Sequence, residues 1–411
     1  MLSVIRENVR LAPYTTLRIG GIARYFADIT DEDQLREALH FAEKNSLPVL
    51  VLGGGSNVLI ADVGFSGVVL HIVNEGIIFH PAQKDEARVT AAAGEEWDKF
   101  VRQCVARELA GVECLSGIPG LVGGTPIQNV GAYGQEVSET IVSVRAFDRQ
   151  TKQITEMTNE DCRFSYRASI FNTTERDRYI VLSVTFKLTP HGAPSLRYGD
   201  LQKYFAERSQ SPSLQEVRDA VLAIRASKGM IIVPSDPDCQ SAGSFFKNPM
   251  VSAAKFAEVE AAARQQNLLC EDESLPHFAM PQGQIKIPAA WLIEKAGFPK
   301  GYERGRVGIS SKHTLAIINR SSATATELLT FVAQIQNQVQ ERFGLALVPE
   351  PVWIGLENHT PVTLPPILQK SDVRPPNTEP PEPWNLSLKP GRRFRKPEHN
   401  PLKTERKKWF E

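Results

Sequence analysis

Between Gly117 and Gly134 the chain reads GIPGLVGGTPIQNVGAYG. Glycines set this densely among apolar residues describe main chain built to touch a ligand. Glycine lets backbone approach closely and reaches conformations with φ > 0 that other residues resist. Successive N–H groups in such a loop form an anion-binding concavity, with Thr125, Gln128 and Asn129 as side-chain donors and acceptors beside it. Taken singly, the run reads more readily as a tight structural loop. A second cluster, Gly53-Gly54-Gly55-Ser56-Asn57, lies between the apolar runs Pro48–Leu52 and Val58–Ile60 and so joins strand to strand. Neither cluster has the G-x-G-x-x-G or G-x-x-x-x-G-K-[ST] spacing, which sets aside the common dinucleotide and P-loop folds. Two such nests suit the two ends of a long ligand such as FAD, whose pyrophosphate needs donors and whose ring needs an apolar slot.

The chain has 411 residues, 42% hydrophobic and 23% charged, enough for two or three domains with ordinary cores. Formal net charge is zero, so no global field draws it to nucleic acid or membrane. Cys104, Cys114, Cys162, Cys239 and Cys270 are an odd set without C-x-x-C spacing. That pattern fits reduced thiols and neither a disulfide framework nor a metal site, so a cytoplasmic protein is expected. Arg6, Glu7 and Arg10 interrupt the hydrophobic residues near the start, and no uncharged apolar run approaches about eighteen residues, so no membrane insertion is expected.

Periodicity predicts a helix over Asp31–Asn45 with Thr30 as N-cap, leading into the Pro48 strand. It predicts a second helix over Glu95–Glu108, and strands at Arg88–Ala93, Val142–Asp148, Tyr179–Leu188 and Leu315–Asn319. Ser213 with Glu216 forms a capping box before a helix reaching about Lys228, and Thr324–Phe343 reads as a long amphipathic helix. The expected units are 1–75, 76–209 and 210–355. After Gly355 prolines recur and apolar periodicity stops, so 356–411 reads as a disordered tail. Its basic and aromatic end, with Arg392, Arg393, Arg395, Phe394, Trp409 and Phe410, is either a solvated charge run or a contact for nucleic acid or anionic lipid of unknown identity.

Three positions carry chemical interest. Arg167 lies in the aromatic stretch CRFSYRASIF, where a held guanidinium would stabilise developing negative charge. Ser244, in AGSFFKNP, presents a hydroxyl beside Phe245 and Phe246. Glu350, in LVPEPVWIG, is an acid in an apolar segment where desolvation would raise its pKa. A surface arginine, a turn serine and a solvated glutamate are the plain alternatives.

Together with TTLRIGG, GGGSNVL and IPGLVGGTPIQNVGAYG, these passages occur in an order and spacing that resembles the UDP-N-acetylenolpyruvoylglucosamine reductases, over nearly all of residues 1–355. RYGDL, with Tyr198, is similar to the subclass that keeps a tyrosine-bearing loop over its substrate. The resemblance implies an α+β fold: a two-unit FAD-binding module of the p-cresol-methylhydroxylase type plus a C-terminal α+β substrate domain. A monomer is expected, although nothing in the sequence settles the oligomeric state. It implies FAD held by Gly53, Gly54, Gly55, Ser56, Asn57, Ile118, Pro119, Gly120, Gly123, Gly124, Thr125, Gln128, Asn129 and Gly131. NADPH would reduce the flavin, and the enolpyruvyl ether of UDP-N-acetylglucosamine would take a hydride from flavin N5 to give UDP-N-acetylmuramate, a peptidoglycan precursor. Arg167 and Glu350 match the residues that stabilise the enolate, Ser244 the proton donor, and Tyr198, Lys228 and Asn248 substrate contacts. Gly124 and Thr125 stand where serines are familiar, and Pro351 and Val352 depart from the pattern beside Glu350. An FAD-dependent carbohydrate oxidase is the alternative enzyme, and a nucleotide-binding scaffold the alternative of another class.

Overall fold

A computed structural model describes residues 5–356 apart from 82–83, 234, 271 and 281–282. The expected disordered tail from 357 onward lies outside the described residues.

The N-terminal sheet has four strands in the order Ile5–Arg10, Ile22–Ile29, Phe65–Ile72, Val49–Leu52, with the last three parallel. Val68, Val69 and Leu70 are all buried, the continuous apolar run of a strand covered on both faces. Helix Glu32–Lys44 buries Leu35, Ala38 and Ala42 on one stripe. Its N-cap is Asp31 and not Thr30, because the Asp31 carboxylate accepts from Gln34 N at 2.9 Å, while Thr30 N donates back to Gln34 Oε1 at 3.0 Å.

The second sheet is antiparallel, in the order Gln153–Thr158, Ile141–Asp148, Tyr179–Pro190, Ala87–Ala92, Ile77–Phe79. Helix Trp97–Val105 packs on it through Trp97, Phe100, Val101, Cys104 and Val105, with the rings of Phe100 and Phe186 4.7 Å apart. The helix is shorter than the periodicity predicts at both ends. At its start, the buried Glu95 carboxylate is drawn out of the helix to accept from Gly76 N at 3.1 Å and to pair with Lys99 at 2.7 Å. One continuous core runs between these two sheets.

The third sheet joins Ser241–Ser244, Ala316–Asn319, Val307–Ile309 and Glu303–Arg304. Helix Ala325–Phe343 covers it through Leu328, Phe331, Val332, Ile335 and Val339, opened by the Thr324/Glu327 capping box. Asp62, from the first unit, accepts from Ala325 N at 2.7 Å and Thr326 N at 3.0 Å, placing a carboxylate at the positive end of that helix.

Two connections cross the expected boundary at residue 210. Helix Leu214–Ser227, capped by Ser213 and Glu216 as anticipated, packs on the second unit: Arg218 holds Asp98 in a bidentate pair, 2.7 Å on each side. The final strand, Val352–Ile354, returns to the first unit and lies parallel to Val58–Ile60.

Candidate active site

A cavity of about 1790 Å³ opens where these elements converge. Its wall includes Gly53, Gly54, Gly55, Ser56 and Asn57 from the first glycine loop. Ile118, Pro119, Gly120, Gly123, Gly124, Thr125, Gln128 and Gly131 come from the second. Asn129 does not line it. That side chain is buried and turned inward, donating to Glu136 at 2.7 Å and Ser165 O at 3.1 Å while accepting from Ser138 N at 3.1 Å, so it fixes the loop's shape instead of reaching into the cavity.

The two glycine loops touch through main chain. A β-carbon on Gly54 would sit 2.9 Å from Gly120 Cα, and Gly55, at φ +61°, would drive one into the Tyr14 carbonyl oxygen. Ser56 Oγ donates to Pro119 O at 3.1 Å, and Asn57 Nδ2 donates to Gln128 Oε1 at 2.5 Å, so polar side chains lock the same contact. Among the described residues the amides of Gly54, Gly55 and Ser56 have no protein acceptor, which leaves donors on the cavity wall for a pyrophosphate. The second loop is held from behind: Gly117 N donates to Asp98 at 2.5 Å and Gly117 O accepts from Arg225 at 3.1 Å. A cradle of this kind fits FAD. Gly54→Ala is therefore expected to push the loops apart and yield protein that folds but carries less than about a tenth of the flavin, a loss near the 1–3 kcal/mol of overpacking. The ratio of absorbance at 450 nm to that at 280 nm reads it, and a full flavin complement would show that the contact is not part of the cradle.

Ser165 and Ala168 exchange two backbone hydrogen bonds, which puts Tyr166 and Arg167 at the tip of a tight hairpin. Arg167 takes φ +55°, the left-handed conformation that the tip of so tight a hairpin requires. Its Nη2 donates to Gly131 O at 2.9 Å. Its Nε lies 3.2 Å from Glu350 Oε1 yet makes no aligned hydrogen bond, so part of the guanidinium is available to another anion. Burial pushes the Glu350 carboxyl up from its ordinary range, against the opposing pull of Arg167 and Lys247. Desolvation outweighs that pull, so the carboxyl holds its proton more readily than an ordinary glutamate beside the Arg167 cation.

Glu350 N donates to Phe245 O at 2.8 Å, tying it to the residue after Ser244, and Asn57 Nδ2 reaches Glu350 O at 3.4 Å. Ser244 ends its strand after an irregularity in register and lines the cavity; among the described residues its hydroxyl has no protein partner. The structure thus brings Arg167, Ser244 and Glu350 to the same cavity as the glycine loops, with Glu350 tied to Arg167, to Phe245 and to Asn57.

Tyr198, Lys228 and Asn248 line the same cavity. Lys228 ends helix Leu214–Ser227 and pairs with Asp200 at 2.7 Å. Burial opposes its charge, but Asp200 and Tyr133 outweigh that and hold its pKa above the ordinary value. Tyr198 stands edge-on to Tyr133, ring centroids 5.4 Å apart. Asn248 Oδ1 accepts from Ala289 N at 2.8 Å, which fixes its orientation. Three further wall residues escaped the sequence reading: Tyr166, Lys286 and His313. Lys286 lies over the Tyr166 ring at 5.4 Å, its pKa lowered by burial and by Arg167. The one sequence signal for it was a charge inside the short apolar segment Ile285–Ile287.

A model of the FAD binding domain matches residues 23–156, and a model of the UDP-N-acetylenolpyruvoylglucosamine reductase C-terminal domain matches residues 235–354. The chain is 45% identical over 359 residues to the UDP-N-acetylenolpyruvoylglucosamine reductase of Thermobifida fusca, covering 87% of this chain and 99% of that one. It is 44% identical over 353 residues to the enzyme of the same name from Streptomyces coelicolor, covering 85% and 90%. Among solved structures, the reductase of Thermus caldophilus matches with a TM-score of 0.55 at 24% identity, covering 85% of this chain and 99% of that one, which supports the fold.

Proposed function

Because the chain belongs to the UDP-N-acetylenolpyruvoylglucosamine reductase family, we propose that Arg167, Glu350 and Ser244 are the residues through which it reduces its substrate. The protein is an NADPH-dependent flavoenzyme that converts UDP-N-acetylenolpyruvoylglucosamine to UDP-N-acetylmuramate for peptidoglycan synthesis. FAD held by the two glycine loops would supply the hydride that the terminal carbon of the enolpyruvyl double bond takes up. The electron pair of that bond moves onto the neighbouring carbon and its carboxylate, an enolate that is costly without donors aimed at it. Arg167 brings fixed positive charge to it, and Glu350, whose proton burial favours, adds a hydrogen-bond donor in its neutral form. Ser244 Oγ–H gives its proton to the neighbouring carbon, which completes the lactyl ether. A hydroxyl of ordinary acidity suffices because the enolate is a strong base within reach.

The convergence of Arg167, Ser244 and Glu350 on the cavity that both glycine loops also line is the observation that supports this assignment. It also disfavours the carbohydrate oxidase, which needs a base and has no use for a serine acid. The flavin is assigned to the loops of units 1–75 and 76–209, and the substrate is closed in by 210–355, with Tyr198, Lys228 and Asn248 around the uridine diphosphate. We place the protein in the cytoplasm: all five cysteines are unpaired, and among the described residues no helix is long and apolar enough to cross a membrane. The test is anaerobic. NADPH should bleach the yellow protein, and the enolpyruvyl ether should restore the colour, whereas colour restored equally by a simple sugar would reject the assignment.

A further inference from the structure

His313 is outside the machinery described so far, yet the fold goes to some length to place it. It ends the loop Ser310–His313, which follows strand Val307–Ile309. The buried Asp238 carboxylate gathers that loop, accepting from Ser310 Oγ at 2.9 Å, Ser311 N at 2.9 Å and Ser311 Oγ at 2.8 Å. Lys312 is drawn to Asp236 at 2.5 Å, and His313 N donates to Ser310 Oγ at 3.3 Å. Gly229, next to Lys228, packs directly on Lys312: a β-carbon there would lie 3.2 Å from Lys312 Cδ. With its neighbours tied down, His313 faces the cavity on the Lys228 side, and among the described residues neither ring nitrogen has a protein hydrogen-bond partner.

We propose that His313 is a ligand of the diphosphate group that binds beside Lys228, donating to it from the ring that faces the cavity. This rests on the placement of the substrate diphosphate at Lys228. The charged groups around the imidazole explain why a ligand is needed. Lys228 ends helix Leu214–Ser227, Lys300 follows helix Ala289–Lys295, and Glu294 on that helix is occupied by Thr314. Asp236 and Asp238 are consumed by Lys312 and the loop hydroxyls. Burial, reinforced by Lys228 and Lys300 against the weaker pull of Glu294, therefore lowers the His313 pKa to about 4. A diphosphate diester brings two negative charges into this cationic corner and reverses the balance. A group whose pKa rises on binding takes up a proton, so affinity increases as pH falls through the pKa of the complex and levels off below that of the free enzyme.

UDP-N-acetylglucosamine is the appropriate probe, since its diphosphate is a diester that does not titrate near neutrality and it lacks the carboxylate that would meet Arg167. Its dissociation constant and proton uptake are measured by calorimetry on the holoenzyme from pH 5.5 to 8, in buffers of different ionisation enthalpy. The native protein should bind more tightly as pH falls, with net proton uptake. His313→Gln should lose about tenfold at pH 6, the scale of one charge-assisted hydrogen bond, together with the pH slope and the uptake, while its flavin spectrum stays native. Persistence of slope and uptake in His313→Gln would overturn the proposal. Lys228→Met separates the two ideas: weakened binding supports the diphosphate placement, and unchanged binding overturns both the placement and the role of His313. NADP⁺ carries the same diphosphate chemistry, so it is titrated in parallel; a His313→Gln defect confined to NADP⁺ would reject His313 as a ligand of the UDP-sugar.

Discussion

Ser244→Ala is expected to leave the bleaching of the flavin by NADPH at its native rate while slowing the return of colour with the enolpyruvyl ether by about 10²–10⁴-fold, the usual worth of a general acid. The asymmetry comes from where the proton goes. Hydride leaves NADPH without any proton reaching carbon, whereas saturation of the substrate double bond ends with one. Ser244 presents its hydroxyl to the cavity, without a protein partner among the described residues, and the substitution removes little else. Stopped-flow absorbance of each half-reaction reads the result. Equal slowing of both halves would place the defect in flavin geometry and remove Ser244 from the chemistry.

The second large effect belongs to Glu350. Glu350→Ala removes a buried donor from beside Arg167 and should cost about 10²–10³ in kcat, as deletion of one oxyanion-stabilising donor does. Its pH dependence carries more information. Burial raises the Glu350 pKa, so the protonated form survives above the normal carboxylate range and is lost as pH rises through the shifted value. If the neutral acid is the working form, the substrate half-reaction has a plateau at low pH and declines on the alkaline side. Glu350→Gln, neutral at every pH and still able to donate, should retain more activity than the alanine variant and lose that declining limb. A rate that climbs with pH, together with an inactive glutamine variant, would mean that the carboxylate form is needed.

The features legible in the sequence were those set by local chemistry. The Ser213/Glu216 capping box, the long helix opened by Thr324 and the strand-to-strand position of the first glycine cluster need only a few neighbouring residues to define them. Misplacements arose where a distant partner decides. Thr30 and Asp31 are both competent caps, and the carboxylate wins once the chain leaves the preceding strand extended. Glu95 reads as helical until Gly76, nineteen residues earlier, captures its side chain. Asn129 has the right chemistry for a ligand, but only the folded loop shows that Glu136 and Ser138 occupy it. The roles of Arg167, Ser244 and Glu350 were suggested by family resemblance, and their convergence was invisible along the chain. His313 had no sequence signal, because its exposure to the cavity depends on Asp238, which lies 72 residues from Ser310.

The pairing of Val352–Ile354 with Val58–Ile60 has a consequence for biogenesis. Glu350 is held against Asn57 across 293 residues, so the pocket has no complete wall until a ribosome has delivered almost the whole enzyme. At about 5–20 residues per second, the N-terminal part waits some tens of seconds for its last strand. During that interval the three-residue edge Val58–Ile60 lacks the strand it pairs with in the finished fold, and unpaired edges invite association. Messages cut short before this point would yield colourless, aggregation-prone fragments instead of slow enzymes.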